Sequence, residues 1–279
     1  MNAIYSVIEF LLPLEAFEWT FMKNALLALL LLTPLLALLG TMAVNPQMAF
    51  FSDALGHSAL TGIGLGVVLG VSSDLLAMLV FGIVWALLIC RIKQYGAAST
   101  DTVISVFSST SVAAGLLILS RGGGFAKYST LLVGDVLAVT PADLLWLLRA
   151  LVVGVLLWAV MYNQLLLGSV NASLARTRGV RVRLVECAFV VLVAVAVMLS
   201  IKWVGVMLIN ALLILPAAAA RNVARSSRQH AVISVLIALV CGFAGLVCSY
   251  AWDTTVGAAI VLWAAACYFI SLGLRRFIR

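Results

Sequence analysis

Residues 50–70 read FFSDALGHSALTGIGLGVVLG, and the way this stretch folds decides what kind of molecule the chain is. Gly62, Gly64 and Gly66 form a GxGxG run. A dinucleotide-binding loop of that kind would need a strand just before it and a βαβ unit around it. No strand pattern precedes these glycines, and the residues around them stay apolar for a membrane thickness, so the stretch reads as a helix within a bilayer. Gly62, Gly66 and Gly70 then recur every four residues and give a smooth face that another helix can approach closely. At the start of this span stand two ionisable residues, Asp53 and His57.

Outward from this segment, similar apolar runs recur near residues 20–42, 54–70, 75–92, 103–120, 142–162, 183–200, 203–220, 230–250 and 255–273. Crossing a hydrocarbon core of about 30 Å takes roughly 20 helical residues, a length that also excludes barrel strands. The expected fold is therefore all-α, a polytopic transmembrane helical bundle of eight or nine spans over residues 1–279. The segment 128–139 (YSTLLVGDVLAV) is too short to span and reads as a re-entrant or surface helix. Hydrophobic residues make up 65% of the chain and charged ones 10%, with a mean hydropathy of +1.22. Soluble domains use roughly 45–50% apolar and about 25% charged residues, so a water-soluble class is set aside.

The net charge of +7 does not mark a nucleic-acid binder, because the basic residues fall in short clusters between apolar spans. They act as topology signals. One side carries Arg91, Lys93, Arg176, Arg178, Arg181, Arg183, Arg221, Arg225, Arg228, Arg275, Arg276 and Arg279; the other carries Lys23, Arg121, Lys127 and Lys202. The richer side is assigned to the cytoplasm, which puts the C-terminus inside and the glycine-rich loop 121–125 outside. Arg149 falls within a span and needs a snorkelling route or an internal partner. Cys90, Cys187, Cys241, Cys248 and Cys267 contain no CxxC pair and read as packing residues. Glu9, Glu15 and Glu18 precede Lys23, so the N-terminus lacks the basic start of a signal peptide and is expected to be retained. No GxxxxGK[ST] phosphate loop occurs, so ATP hydrolysis by that device would have to come from a partner.

Four residues apart on a helix, Asp53 and His57 are separated by a rise of about 6 Å and a rotation of about 40°, so they share one face. A carboxylate oxygen beside an imidazole nitrogen is half of a site for zinc, manganese or ferrous iron. Two copies of the chain about a two-fold axis would bring two Asp and two His together. The alternative is that Asp53 caps the helix while His57 hydrogen-bonds in the interior, although ionisable residues in a span mark function by default. The second His of the chain, His230, is placed in a basic loop. Residues 171–182, NASLARTRGVRV, form the longest internal break and read as a short basic segment suited to docking a soluble partner or as an ordinary positive-inside loop. In 204–221, VGVMLINALLILPAAAAR, Pro216 would kink the helix, and Asn210 either lines a pathway or bonds a neighbouring helix. Asp253 reads as the cap of the last span.

Taken in order, SDALGHSALTGIGLGVVLG at 52–70, DTVISVFSS at 101–109, LLVGDVLAVTPADL at 131–144, SLARTRGV at 173–180, VGVMLINALLILPAAAAR at 204–221 and SYAWDTTVGAAIVL at 249–262 resemble the permeases of zinc- and manganese-type ABC importers. The resemblance implies a type II importer permease fold, a homodimer of two permease copies, two cytoplasmic ABC ATPase subunits and an extracytoplasmic metal-binding protein, all in a bacterial inner membrane. It also implies that Asp53 and His57 are the intramembrane metal ligands and that Ala175, Arg176, Arg178 and Gly179 belong to the ATPase-coupling segment. Asn210 is the candidate pathway residue. No resident cofactor and no nucleic acid are expected; the divalent metal is cargo, and the chain itself is not an enzyme. This sequence has Thr61 where the family commonly has proline, Gly56 where it has serine, and Thr255 where proline follows the aspartate. A secondary transporter driven by an ion gradient is the alternative. An intramembrane zinc hydrolase is disfavoured because it needs three protein ligands and a base, and no HExxH occurs.

Overall fold

The computed structural model describes residues 2–11, 15–44, 48, 50–94, 96, 99–121 and 134–278. The described residues form helices α1 (Asn2–Leu11), α2 (Thr20–Val44), α3 (Phe51–Val68), α4 (Asp74–Gln94), α5 (Thr100–Arg121), α6 (Pro141–Val170), α7 (Ala172–Thr177), α8 (Val182–Val223), α9 (Ser227–Trp252) and α10 (Val256–Ile278). Short 3-10 turns cover Glu15–Glu18 and Val136–Ala138, and no strand occurs among the described residues. Most of the glycine-rich loop 121–125 and residues 128–133 of the short apolar segment lie outside the described residues.

Seven described helices, α2, α4, α5, α6, α8, α9 and α10, are long and apolar enough to cross a membrane, so eight or nine spans was an overstatement. Two of the apolar windows, 183–200 and 203–220, fall on either side of a kink at Gly205 within α8, Val182–Val223. The window 54–70 lies in the 18-residue α3, where Asp53, His57 and the glycines dilute the apolar content. The non-helical point inside α8 is Gly205 (φ 78°, ψ 161°), a region open essentially to glycine. Pro216 lies within helical backbone, and the non-helical residue of the stretch is Gly205.

One compact unit comprises residues 1–41, 133–153 and 203–279. Leu32, Leu35, Leu36 and Leu39 of α2 are buried in it, and the rings of Phe17 and Phe243 stack at 6.2 Å. The Ser234 hydroxyl donates to the Ala37 carbonyl at 3.3 Å, and α9 packs along α10. His230 is not in a loop: it lies in the first turn of α9, buried, with Nε2 bonded to the Ala217 carbonyl at 2.8 Å. Asp253 does not cap α10; in the left-handed conformation (φ 54°, ψ 42°) it ends α9. Asp and Asn tolerate that region best after glycine.

The second unit comprises residues 42–132 and 154–202, in which α3 packs against α4 and α5. The four-residue glycine spacing has a definite use here. A Cβ on Gly62 would stand 3.0 Å from the Phe81 Cβ, and one on Gly66 would stand 2.5 Å from the Ala77 Cβ, so α4 can lie this close only because both side chains are missing. Gly70 lies beyond the last residue of α3, with φ +71°, so it serves the turn and not the packing face. Two of the five cysteines depart from the packing role: Cys90 of α4 and Cys187 of α8 form a disulfide across 97 residues of sequence, with Cα atoms 6.0 Å apart. Helix packing made this pair, and no local CxxC spacing announces it. Val80 and Val84 on α4 and Leu156 and Val160 on α6 are exposed, the expected state of a lipid-facing surface.

Candidate metal site

α3 begins at Phe51 with Phe50 in the cap position and no side-chain cap bond. Asp53 is therefore not the capping residue. It stands in the first turn, where the unpaired N–H groups and helix dipole favour a carboxylate. From Phe51 to Gly64 every residue of α3 is buried except Asp53 and His57. Their side chains keep 43% and 33% exposure, so one polar opening interrupts this buried stretch.

His57 Nε2 lies 3.5 Å from Asp53 Oδ1. Donors that hold zinc at about 2.0–2.2 Å in tetrahedral geometry stand roughly 3.3–3.6 Å apart, so the pair already has the bite of two adjacent ligands. Without a cation, the same spacing makes an ion pair when His57 is protonated. No group of three or more His, Cys, Asp or Glu suited to a metal occurs among the described residues of the chain. Ligands beyond these two must come from the cargo's own water or from another molecule.

The next position on the same face, four residues beyond His57, is Thr61, and sequence reading missed its importance. Its hydroxyl donates to the Ser111 carbonyl of α5 and lies 3.2 Å from the Ser111 hydroxyl, with both residues buried. A Cβ on Gly115, one turn further along α5, would press within 2.9 Å of the Thr61 backbone nitrogen. The polar stripe is thus open at Asp53 and His57 and closed at Thr61, which fixes α3 on α5 below the pair. The four-residue recurrence 53, 57, 61 was the signal available in the sequence.

The proposed coupling residues form a compact, well-capped helix. Asn171 accepts the N–H groups of Ser173 and Leu174, each at 3.0 Å. At the other end Val180 N donates to the Ala175 carbonyl and Gly179 N to the Arg176 carbonyl, the paired bonds of a Schellman stop. Gly179 supplies the positive φ, +79°, which that stop requires. Ala175 is fully buried and seats the helix, whereas Leu174, Arg176, Arg178 and Gly179 are exposed. Arg181 and Arg183 extend the exposed basic surface. Asn210 lies in the other compact unit, half-buried on α8 after Gly205.

Seven helices long and apolar enough to cross a membrane define a multi-pass membrane protein. The chain belongs to the ABC 3 transport family, whose model matches residues 18–275. It is 28% identical to the high-affinity zinc uptake system membrane protein ZnuB of Haemophilus influenzae, over 89% of this chain and 95% of that one. It is 30% identical to the manganese import system permease protein ScaB of Streptococcus parasanguinis, over 95% of this chain and 94% of that one. The solved structure of PsaBC from Streptococcus pneumoniae, in complex with Fab, matches with a TM-score of 0.80 at 27% identity, over 97% of this chain and 95% of that chain.

Proposed function

We propose that this chain is the membrane-spanning permease subunit of an ATP-binding-cassette importer that carries a divalent transition metal, zinc or manganese, into the bacterial cytoplasm. Ferrous iron suits the same donors. The observation that carries the reading is the Asp53–His57 pair, held 3.5 Å apart at the opening in the buried stretch Phe51–Gly64 of a chain of this family. A homodimer supplies the second pair and completes four protein ligands. Such a site holds the cation transiently, since conduction requires release as well as capture.

In this reading the chain does not hydrolyse ATP and holds no resident cofactor; the metal is substrate. Cytoplasmic ATPase subunits dock on α7 through Leu174, Arg176, Arg178 and Gly179, which face outward while Ala175 anchors the helix. An extracytoplasmic protein delivers the cation, Asn210 contributes to the pathway, and the C-terminus is cytoplasmic. Family membership weighs against the gradient-driven alternative. The test reconstitutes the chain with its ATPase and binding protein and measures zinc and manganese uptake and metal-stimulated ATP hydrolysis. Wild type should perform both, and Asp53→Ala and His57→Ala should lose uptake at equal expression. Normal uptake by both variants would sink the ligand assignment.

A further inference from the structure

The Cys90–Cys187 disulfide stands where a permanent one is least expected. Cys90 is flanked on α4 by Arg91 and Lys93, and Cys187 follows Arg181 and Arg183 at the start of α8. These belong to the basic clusters that the positive-inside rule assigns to the cytoplasm. Thiol reductants keep cysteines reduced there, and the disulfides that do form are usually transient and redox-sensing or catalytic. A structural staple belongs on the opposite face. Cys187 is half-buried, and Cys90, 5% exposed, lines a small recess with Lys93, Thr100 and Glu186, so a reductant or peroxide reaches the pair from the Cys187 side.

We propose that Cys90 and Cys187 form a reversible thiol–disulfide site, closed by peroxide and opened by cytoplasmic thiols, and that closure slows transport. Opening follows thiol–disulfide exchange: a reductant thiolate attacks one sulfur to give a mixed disulfide, and a second thiolate releases it. The S–S bond breaks, the two cysteines gain two electrons and two protons, and two monothiols become one disulfide. The cationic side chains beside both cysteines favour approach of the anionic reductant. For closure, one cysteine thiolate attacks hydrogen peroxide, giving a sulfenic acid and a hydroxide that takes up the proton lost when the thiol ionised; the other thiol then displaces the sulfenic oxygen as a second water and forms the S–S bond.

The consequence, unlike the chemistry, rests on the importer reading. α4 packs along α3, which carries Asp53 and His57, while α8 starts at Val182, just after the docking helix α7 ends at Thr177. The bond therefore ties the helix leaving the docking segment to the helix bracing the metal pair. It opposes relative movement of the two when the cassettes close.

The experiment uses the full chain with its partner subunits. Thiols are trapped with N-ethylmaleimide in resting cells and again after hydrogen peroxide, and the peptides are read by mass spectrometry without reduction. Both cysteines should be alkylated at rest and linked after peroxide. In proteoliposomes the linked form should take up metal about fivefold more slowly, the low end of ordinary coupling between sites. Dithiothreitol should restore the rate, and Cys90→Ser and Cys187→Ser should not respond to peroxide. A fully linked pair in resting cells, a pair that peroxide never links, labelling from outside in right-side-out vesicles, or an uptake rate indifferent to the link would each overturn the proposal. Trapping is read without transport, so a reduced chain that carries no metal refutes the importer reading alone.

Discussion

Asp53 and His57 owe their pairing to helix geometry alone, yet their usefulness depends on everything around them being packed. A two-residue bite of 3.5 Å suits a divalent cation but holds it weakly, because two protein donors leave at least half a tetrahedral shell to water or to a second copy. Asp53→Ala or His57→Ala should therefore weaken zinc binding by at least the roughly 10–100-fold that loss of a mere outer-shell partner costs, as measured by titration calorimetry on the assembled importer. Thr61 gives a different readout from the same face. Thr61→Val keeps the shape but removes the bond to the Ser111 carbonyl, and should lower stability by about 1 kcal/mol in thermal unfolding in detergent. An unchanged melting temperature would show that this bond does not hold α3 on α5.

Among the elements, α3 and α7 respond to changes of opposite kind. α3 is held by close approach, so Gly66→Val drives a branched side chain into Ala77 and should cost about 1–3 kcal/mol, seen as a lower melting temperature. No such crowding meets a side chain at exposed Arg178. α7 is held by its caps and by buried Ala175. Asn171→Ala removes the acceptor of two N–H groups and should destabilise the helix by about 1 kcal/mol. Its effect should appear as weaker metal stimulation of ATP hydrolysis, with metal affinity unchanged, because the cap lies on a different helix from the Asp53–His57 pair. A loss of affinity in that variant would contradict a purely coupling role for α7.

At the scale of the whole molecule, each chain brings one pair and no third His, Cys, Asp or Glu to it among the described residues, so the stoichiometry of bound metal is diagnostic. The homodimeric site predicts one bound zinc per two chains at saturating zinc, measured by equilibrium dialysis, whereas one per chain would mean that each copy completes its own site. The exposed valines and leucines of α4 and α6 fit a chain surrounded by lipid and by other membrane subunits.

The membrane class and the helical architecture were legible in the sequence because hydropathy is additive along the chain and each helix satisfies its own backbone hydrogen bonds. Asp53 with His57, and Asn171 to Gly179, were legible for the same reason, since an i, i+4 pair and helix caps depend on neighbours only a few residues away. The number of long spans was not. That the windows at 183–200 and 203–220 follow one another across a kink at Gly205 depends on a backbone path that apolar periodicity does not record. Burial of His230 against the Ala217 carbonyl, the Thr61–Ser111 bond across 50 residues and the Cys90–Cys187 link across 97 were decided by tertiary structure alone. Each joins groups on different helices, or at different points along the path of the chain, and only the packing of those helices brings the atoms within bonding distance.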